Sequence, residues 1–275
     1  MKTSLRLILS MFAGLIACSG HRIAGAQALS LPHPDDPAKK VEYFLEKPPG
    51  NGPWPTIILL HGHQEWPRAG GKDFVNWGVL DEFANRGYLA VAVSQPGYGS
   101  STGPADFCGP FTQHAVAAVL AKLRADGFVK ENRILIQGVS RGALVAGMVA
   151  AHDPSIRGIV LISGLYDLPT YASRAKSAMA ISIVDSMKSE TDGTVEALKA
   201  RSLFYYAQDV KSETLILNGG KDDRTDTDQA RHVAEIINAH GGHARAIIYP
   251  EYGHQIPIEV RNKDVAPFIE RVLGR

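Results

Sequence analysis

One serine lies in a pattern that is typical of catalytic nucleophiles. Residues 134–147 begin with an apolar run, pass through Gly138-Val139-Ser140-Arg141-Gly142 and continue with small and apolar residues. This order predicts a buried strand, an abrupt turn and a helix. Such a turn holds its central residue in a strained conformation, and glycines on both sides leave room where strand and helix pass closely. Ser140 is therefore the candidate nucleophile.

A serine nucleophile needs a base to take its proton and an acid to orient that base. Two loops that follow predicted strands carry suitable side chains. One is Asn218-Gly219-Gly220-Lys221-Asp222-Asp223-Arg224, and the other is Pro250-Glu251-Tyr252-Gly253-His254. Ser140, Asp222 and His254 then follow one another in the chain order Ser, Asp, His, which is the order found in α/β-hydrolases.

Strands and helices alternate along the chain and would bring these loops together. The predicted strands are Lys40 to Glu46 (at a sheet edge), Thr56 to Leu60, Tyr88 to Val93, the strand before Ser140, Ile159 to Ile162, Leu215 to Leu217 and Ala246 to Tyr249. The predicted helices are Phe74 to Asn85, Thr112 to Ala125, the helix after Ser140, Asp228 to His240 and Val265 to Leu273. Alternation of this kind indicates one mainly parallel sheet flanked by helices, with its ligand site beyond the carboxyl ends of the strands.

The motifs resemble those of a known superfamily. His61-Gly62, residues 138–142, Ser163-Gly164-Leu165-Tyr166-Asp167, residues 220–224 and Tyr252-Gly253-His254 are similar to α/β-hydrolases, and most similar to small members of the prolyl-oligopeptidase and dienelactone-hydrolase branch. The resemblance runs from about residue 55 to the end of the chain. It implies an α/β-hydrolase fold over residues 29–275, with Asp222 as the acid and His254 as the base. One departure is that this sequence has no amino-terminal region of β-propeller size, so the resemblance does not imply the substrate filtering of true oligopeptidases.

Other residues compete for two of these roles. Asp223 is an alternative acid, and so is Asp167, although we expect Asp167 to cap or pin the segment after it. His254 has an alternative explanation as a loop histidine held by Glu251 or Glu259.

The resemblance also suggests an oxyanion hole made of backbone amides. The N–H groups of His63 and Arg141 are the candidate donors. Tyr98 is either a loop residue or a further donor that contacts the substrate. His61 and His63 have the spacing of metal ligands, but no third ligand cluster accompanies them, so neither a metal nor another cofactor is expected.

Two features concern the substrate. The segment of residues 169–207 is longer and more polar than a simple connection between two strands. It predicts a cap of two or three short helices. Helices this short favour a small or medium substrate over a long lipid. Arg224 is a candidate for binding a substrate carbonyl or carboxylate, and the alternative is a surface salt bridge with Asp226 or Asp228.

The amino terminus resembles a targeting segment. Lys2 and Arg6 precede an apolar run, Leu7 to Ala17, which is too short to span a bilayer. Ala26-Gln27-Ala28 fits a signal peptidase site, which predicts a signal peptide over residues 1–28 and a secreted or periplasmic protein. The sequence before Cys18 instead resembles a lipoprotein box, which would anchor the protein to a membrane through Cys18.

Composition limits the classes of function. The chain has 275 residues, a formal net charge of +1 and no evident basic face, which argues against a nucleic-acid partner. Two cysteines supply no disulfide framework, and Cys108 is expected to be an inert packed thiol. The sequence thus predicts an exported serine hydrolase that cleaves an ester or amide of a small molecule. A serine peptidase of prolyl-oligopeptidase type and a non-catalytic binding protein of the cell envelope are the alternatives.

Overall fold

The computed structural model of the chain describes residues 26–274. Its strands are β1 (Gln27–Pro32), β2 (Lys40–Glu46), β3 (Trp54–Leu60), β4 (Leu89–Val93), β5 (Val129–Val139), β6 (Gly158–Ile162), β7 (Glu213–Gly219) and β8 (His243–Tyr249). Its helices are α1 (Lys72–Asn76), α2 (Val79–Asn85), α3 (Pro110–Ala125), α4 (Arg141–His152), α5 (Leu168–Arg174), α6 (Ala178–Glu190), α7 (Val195–Lys199), α8 (Thr227–Ala239) and α9 (Ile258–Leu273). In the described part of the chain, no helix is long and apolar enough to cross a membrane.

These strands form one sheet in the order β1-β2-β4-β3-β5-β6-β7-β8. β3 to β8 run parallel to one another, and β2 pairs antiparallel with both β1 and β4. Every residue of β4 and β6 is buried, as expected of central strands that are covered on both faces. The predicted α/β-hydrolase fold, with a mainly parallel sheet flanked by helices, is confirmed.

Alternate strand residues supply the two layers of the core. Ile57 and Leu59 of β3 pack with α1, α2 and α9, whereas Ile58 and Leu60 pack with α3, α4 and α8 on the opposite face. Successive strand side chains point to opposite faces, so one apolar strand serves both layers. The carboxyl ends of the parallel strands are left uncovered by these layers, and the candidate site residues follow them.

Residues 168–209 form the cap between β6 and β7. It consists of α5, α6, α7 and two short 3₁₀ turns, Leu203–Tyr205 and Ala207–Asp209. Each α-helix begins with a side-chain cap, in which Asp167, Ser177 and Thr194 accept a hydrogen bond from the backbone three residues later. The predicted cap of two or three helices over residues 169–207 is thus present as three helices.

Two sequence predictions are wrong. β2 was expected at the sheet edge, but β1 lies outside it, since Gln27 to Pro32 pairs along its whole length. The helix expected from Phe74 to Asn85 is two helices, because Gly78 adopts a left-handed conformation (φ 70°) between α1 and α2.

The apolar run and Cys18 of the proposed targeting segment lie outside the described residues, and the predicted cleavage position after Ala28 falls within β1.

Candidate active site

Ser140 occupies the turn between β5 and α4 with φ 54° and ψ −118°. A positive φ is rare for a residue with a Cβ atom and marks stored strain. The turn closes only because its flanking residues are glycines. A Cβ at Gly138 would lie 2.0 Å from the carbonyl oxygen of Gly142, and one at Gly142 would lie 2.3 Å from that of Leu60.

Asp222 and His254 meet above the ends of β7 and β8. His254 Nδ1 lies 2.9 Å from Asp222 Oδ2 and 3.2 Å from Oδ1. The carboxylate also accepts hydrogen bonds from the Arg224 and Thr225 amides and, at 2.6 Å, from the Thr225 hydroxyl. Burial alone would raise the pKa of Asp222, but the bonds from His254 and Thr225 outweigh it and lower that pKa. The ionised carboxylate holds Nδ1 of His254, which leaves Nε2 to exchange protons.

The alternative acids lie elsewhere. Asp167 caps α5 by accepting the Thr170 amide at 3.2 Å, which is the capping role expected for it. Asp223 is exposed and offers only its backbone carbonyl, to Ser177. Among the described residues, Asp222 supplies the carboxylate that contacts His254.

The glutamates that were considered as partners of His254 do not contact it either. Glu251 pairs instead with Lys221 at 3.0 Å, and Glu259 is exposed.

Sequence reasoning missed a residue that holds the histidine loop. Ser163 follows β6 with φ 51°, and its hydroxyl donates to the His254 carbonyl at 2.8 Å. The Ser163 amide also donates to Leu217 of the neighbouring strand. The only available signal was its position after a buried strand, in a segment already noted for its resemblance. The bond fixes the backbone that carries His254.

A cavity of about 980 Å³ brings these residues to one place. Ser140, His254, His63, Arg141 and Arg224 all line it, together with α6 of the cap and the start of α9. In the described chain, neither the amide of His63 nor that of Arg141 donates to a protein acceptor. Both residues line the cavity that Ser140 also lines, so their amides are the candidate oxyanion donors.

Arg224 lines the cavity without an ion-pair partner among residues 26–274. The alternative salt bridges from Arg224 to Asp226 or Asp228 do not form in this part of the chain. Asp226 instead caps α8, and Asp228 pairs with Arg231 at 2.8 Å. The guanidinium is thus free to meet a ligand.

Tyr98 does not have the position expected of a substrate-binding residue. Its side chain is only 3% exposed and lies behind the cavity wall. Its hydroxyl is 3.1 Å from His63 Nδ1 and accepts a hydrogen bond from Arg141 Nη1 at 3.3 Å. Tyr98 therefore positions two residues of the wall, and its burial raises its pKa.

The Arg141 side chain joins the site to the cap. Its guanidinium forms a two-point ion pair with Glu190 at the end of α6, and it stacks 4.5 Å from the Phe107 ring centroid. The two charged side chains are 12% and 16% exposed. No sequence pattern linked Glu190 to Arg141, which lies 49 positions earlier in the chain.

His61 and Cys108 are both occupied within the protein. His61 Nδ1 contacts the Gly62 carbonyl at 2.7 Å, and Nε2 accepts the Gln95 amide at 3.1 Å. Burial lowers the pKa of His61 to about 4, so the ring is neutral. Cys108 is buried, and its burial raises its pKa to about 11. In the described residues no group of three or more His, Cys, Asp or Glu side chains is arranged to hold a metal ion.

Comparison with known proteins finds relatives in sequence and in fold. The chain is 23% identical over 228 residues to dipeptidyl aminopeptidase BIII of Pseudoxanthomonas mexicana, a match that covers 78% of this chain and 32% of that protein. It thus spans about a third of that relative. In structure it resembles acylaminoacyl peptidase of Pyrococcus horikoshii (TM-score 0.73, 18% identity, 91% of this chain and 42% of that chain). It also resembles an esterase of Pyrococcus furiosus (TM-score 0.69, 19% identity, 90% and 91%).

A family model decides which branch of the fold applies. The model of the prolyl oligopeptidase family of peptidases matches residues 111–274, from the start of α3 to the end of α9. This match includes Ser140, Asp222 and His254. The chain belongs to the prolyl oligopeptidase family of serine hydrolases, as its motifs predicted.

Proposed function

We propose that the protein is an exported serine hydrolase that cleaves an ester or amide bond of a small substrate through Ser140, His254 and Asp222. The observation that carries this proposal is that the strained Ser140 lines the same cavity as His254, whose ring is held by Asp222. Export rests on the amino-terminal sequence alone. Mass spectrometry of protein from native membranes would test it, and a lipid-modified Cys18 at the amino terminus would replace the soluble form with an anchored one.

The reaction runs in two acyl-transfer steps. His254 Nε2 takes the proton of the Ser140 hydroxyl as the oxygen attacks the substrate carbonyl, and the amides of His63 and Arg141 stabilise the oxyanion. His254⁺ then gives that proton to the leaving alcohol or amine. Water, deprotonated by the same nitrogen, hydrolyses the acyl-enzyme and restores Ser140. Asp222 stabilises the histidine charge in both steps, and Arg224 binds a substrate carbonyl or carboxylate.

The cavity volume fits small substrates, since ligand pockets for such molecules measure about 300–1,000 Å³. The three cap helices have 7, 13 and 5 residues, and we take helices of this length to favour a small or medium substrate over a long lipid. We expect short-chain p-nitrophenyl esters to be cleaved faster than long-chain esters and peptidyl anilides.

A peptidase is the second candidate, and the family match and the dipeptidyl aminopeptidase relative favour it. A peptidyl anilide that exceeds p-nitrophenyl butyrate in kcat/KM would establish this alternative in place of the esterase.

Labelling with a fluorophosphonate probe tests catalysis itself. The wild-type protein should be labelled at Ser140, and Ser140→Ala should lose both labelling and roughly 10⁴-fold or more of turnover while it stays folded. A folded wild-type protein that the probe does not label would support the non-catalytic binding protein.

A further inference from the structure

The cavity extends well beyond the catalytic residues. α2 packs against β2 and β4, whereas α9 packs against β5, β6 and β7, so the two helices lie on either side of a channel along the sheet. Gln137 and Ile162 line it from the strands, Phe83 from α2 and Val265 from α9. Ser140 lines the same cavity, so a substrate held there can extend into this channel.

The channel wall contains arginines of two kinds. Arg86 is neutralised by glutamates of α2 and α9, and Arg141 is neutralised by Glu190. Arg224 and Arg261 line the same cavity, and within residues 26–274 neither guanidinium has an acidic partner. Arg224 belongs to the acid loop and already has a role in the proposed reaction. Arg261, on α9, has none.

Arg261 occupies an unusual place for a cation. It stands one turn before Val265 and two before Ile269, on the stripe of α9 that faces the core. Burial lowers the pKa of Arg261, and no nearby acid offsets that effect. A partly buried charge without a partner costs stability, and a ligand anion would remove that cost.

The other charged groups of the cavity leave this position open. Asp73 accepts a hydrogen bond from Gln64 at 2.8 Å, and Glu65 is almost fully exposed beside His63. Besides Arg224 of the acid loop, the channel thus contains the Arg261 guanidinium, which has no acidic partner among residues 26–274.

We propose that this channel selects substrates in which an apolar segment joins the scissile carbonyl to an anionic group, such as a carboxylate, that Arg261 binds. This proposal rests on the proposed hydrolase function and specifies its substrate class. A guanidinium and a carboxylate form two parallel hydrogen bonds, and a partly buried setting strengthens them. The anion can belong to the acyl part or to the leaving part, and the substrates below distinguish the two.

Two pairs of substrates measure the selectivity. For the acyl part, the mono-p-nitrophenyl ester of adipate is compared with p-nitrophenyl hexanoate. For the leaving part, the acetyl ester of an ω-hydroxyalkanoic acid is compared with an alkyl acetate of the same length. In each pair, the ratio of kcat/KM for the charged ester to that for the uncharged ester is the selectivity ratio.

We expect Arg261→Met to lower the selectivity ratio by about tenfold to a hundredfold in one of the two pairs, as for the loss of a charged hydrogen bond. Arg261→Lys should retain part of it. Lys263→Gln is the matched control, because it removes one positive charge from an exposed position on the same helix, and it should leave the ratio unchanged. Equal ratios in the wild-type protein and in Arg261→Met, for both pairs, would overturn the proposal.

Thermal unfolding separates recognition from a structural role. Arg261→Met should melt at the same temperature as the wild-type protein or above it, because an unpaired cation is removed. A lower melting temperature together with unchanged ratios would make Arg261 a structural residue and refute the proposal.

Binding without turnover separates this proposal from the catalytic one. Calorimetry with Ser140→Ala and the monoethyl ester of adipate should show binding that the added Arg261→Met change weakens about tenfold or more. If Ser140→Ala still hydrolyses p-nitrophenyl acetate, the catalytic proposal fails. The effect of Arg261→Met on binding still tests the anion site in that case. Binding that Arg261→Met leaves unchanged refutes the anion site alone.

Discussion

The partly buried ion pair between Arg141 and Glu190 connects the turn that carries Ser140 to the cap, so its loss should affect stability and the proposed catalysis. Glu190→Gln keeps the shape of the side chain and removes its charge. The Arg141 guanidinium would then stay 12% exposed without an anionic partner, in contact with the Tyr98 hydroxyl, the Phe107 ring and the amide that replaces the carboxylate. Removing one member of a fully buried pair costs about 3–5 kcal/mol. Because these side chains keep some exposure, we expect a loss of about 2–3 kcal/mol in the free energy of unfolding.

For a chain of this size, that loss lowers Tm by roughly 4–12 °C. Urea unfolding followed by circular dichroism measures the free energy of unfolding. The free energies of the variant and the wild-type protein can be compared if both unfold with the same slope m. Glu196→Gln is the matched control, because Glu196 is exposed on α7 and has no ion-pair partner among residues 26–274; this change should alter stability by less than about 0.5 kcal/mol. Turnover of p-nitrophenyl acetate should also fall for Glu190→Gln, since Arg141 supplies a proposed oxyanion donor.

The double variant Arg141→Met with Glu190→Met decides whether the charge is responsible. It leaves no unpaired ion, so it should unfold at higher urea than Glu190→Gln alone. If Glu190→Gln is as stable as the control, or if the double variant is less stable than both single changes together predict, the pair does not hold the cap in this way.

Three further predictions follow from the contacts of the site and the core. Asp222→Asn should lower kcat by about 10⁴-fold, because the asparagine would hold His254 in the wrong tautomer. Asp223→Asn should keep a kcat within a few-fold of wild type. If steady-state assays show the reverse order, the acid is Asp223. Ser163→Ala removes the bond to the His254 carbonyl and should cost about 1 kcal/mol of stability and lower kcat more than it changes KM; unchanged kcat would show that the loop is held by other contacts. Burial raises the pKa of Glu46 to about 7, above the value of ~4.3 in an unfolded chain. The protonated Glu46 side chain therefore contributes its full stabilisation below about pH 4, and this stabilisation is lost as the pH rises to about 7. Melting temperatures from pH 5 to 8 should therefore fall less for Glu46→Gln than for the wild-type protein, and parallel curves would contradict this pKa.

The sequence by itself was sufficient for the features that depend on short stretches of chain. The glycines around Ser140 predict a tight turn from sequence. At Gly138 this constraint is local, because an added Cβ would collide with Gly142 four residues later, whereas Gly142 lies against the end of β3. Continuous apolar runs such as β4 predict central strands because both faces of such a strand are covered. The resemblance of the motifs then led to the family.

Only the tertiary structure decided which distant residues meet. The resemblance favoured Asp222 over its neighbour Asp223 as the acid. The structure shows the physical basis, because the turn after β7 directs the Asp222 carboxylate toward His254 and leaves Asp223 exposed. β1 was missed because its residues alternate weakly and gain their partners from β2. The sequence left Tyr98 open between a loop residue and a donor that contacts the substrate, and packing buries its side chain behind the cavity wall. The free guanidinium of Arg261 could not be foreseen, because an unpaired charge depends on every side chain that surrounds it in the folded protein.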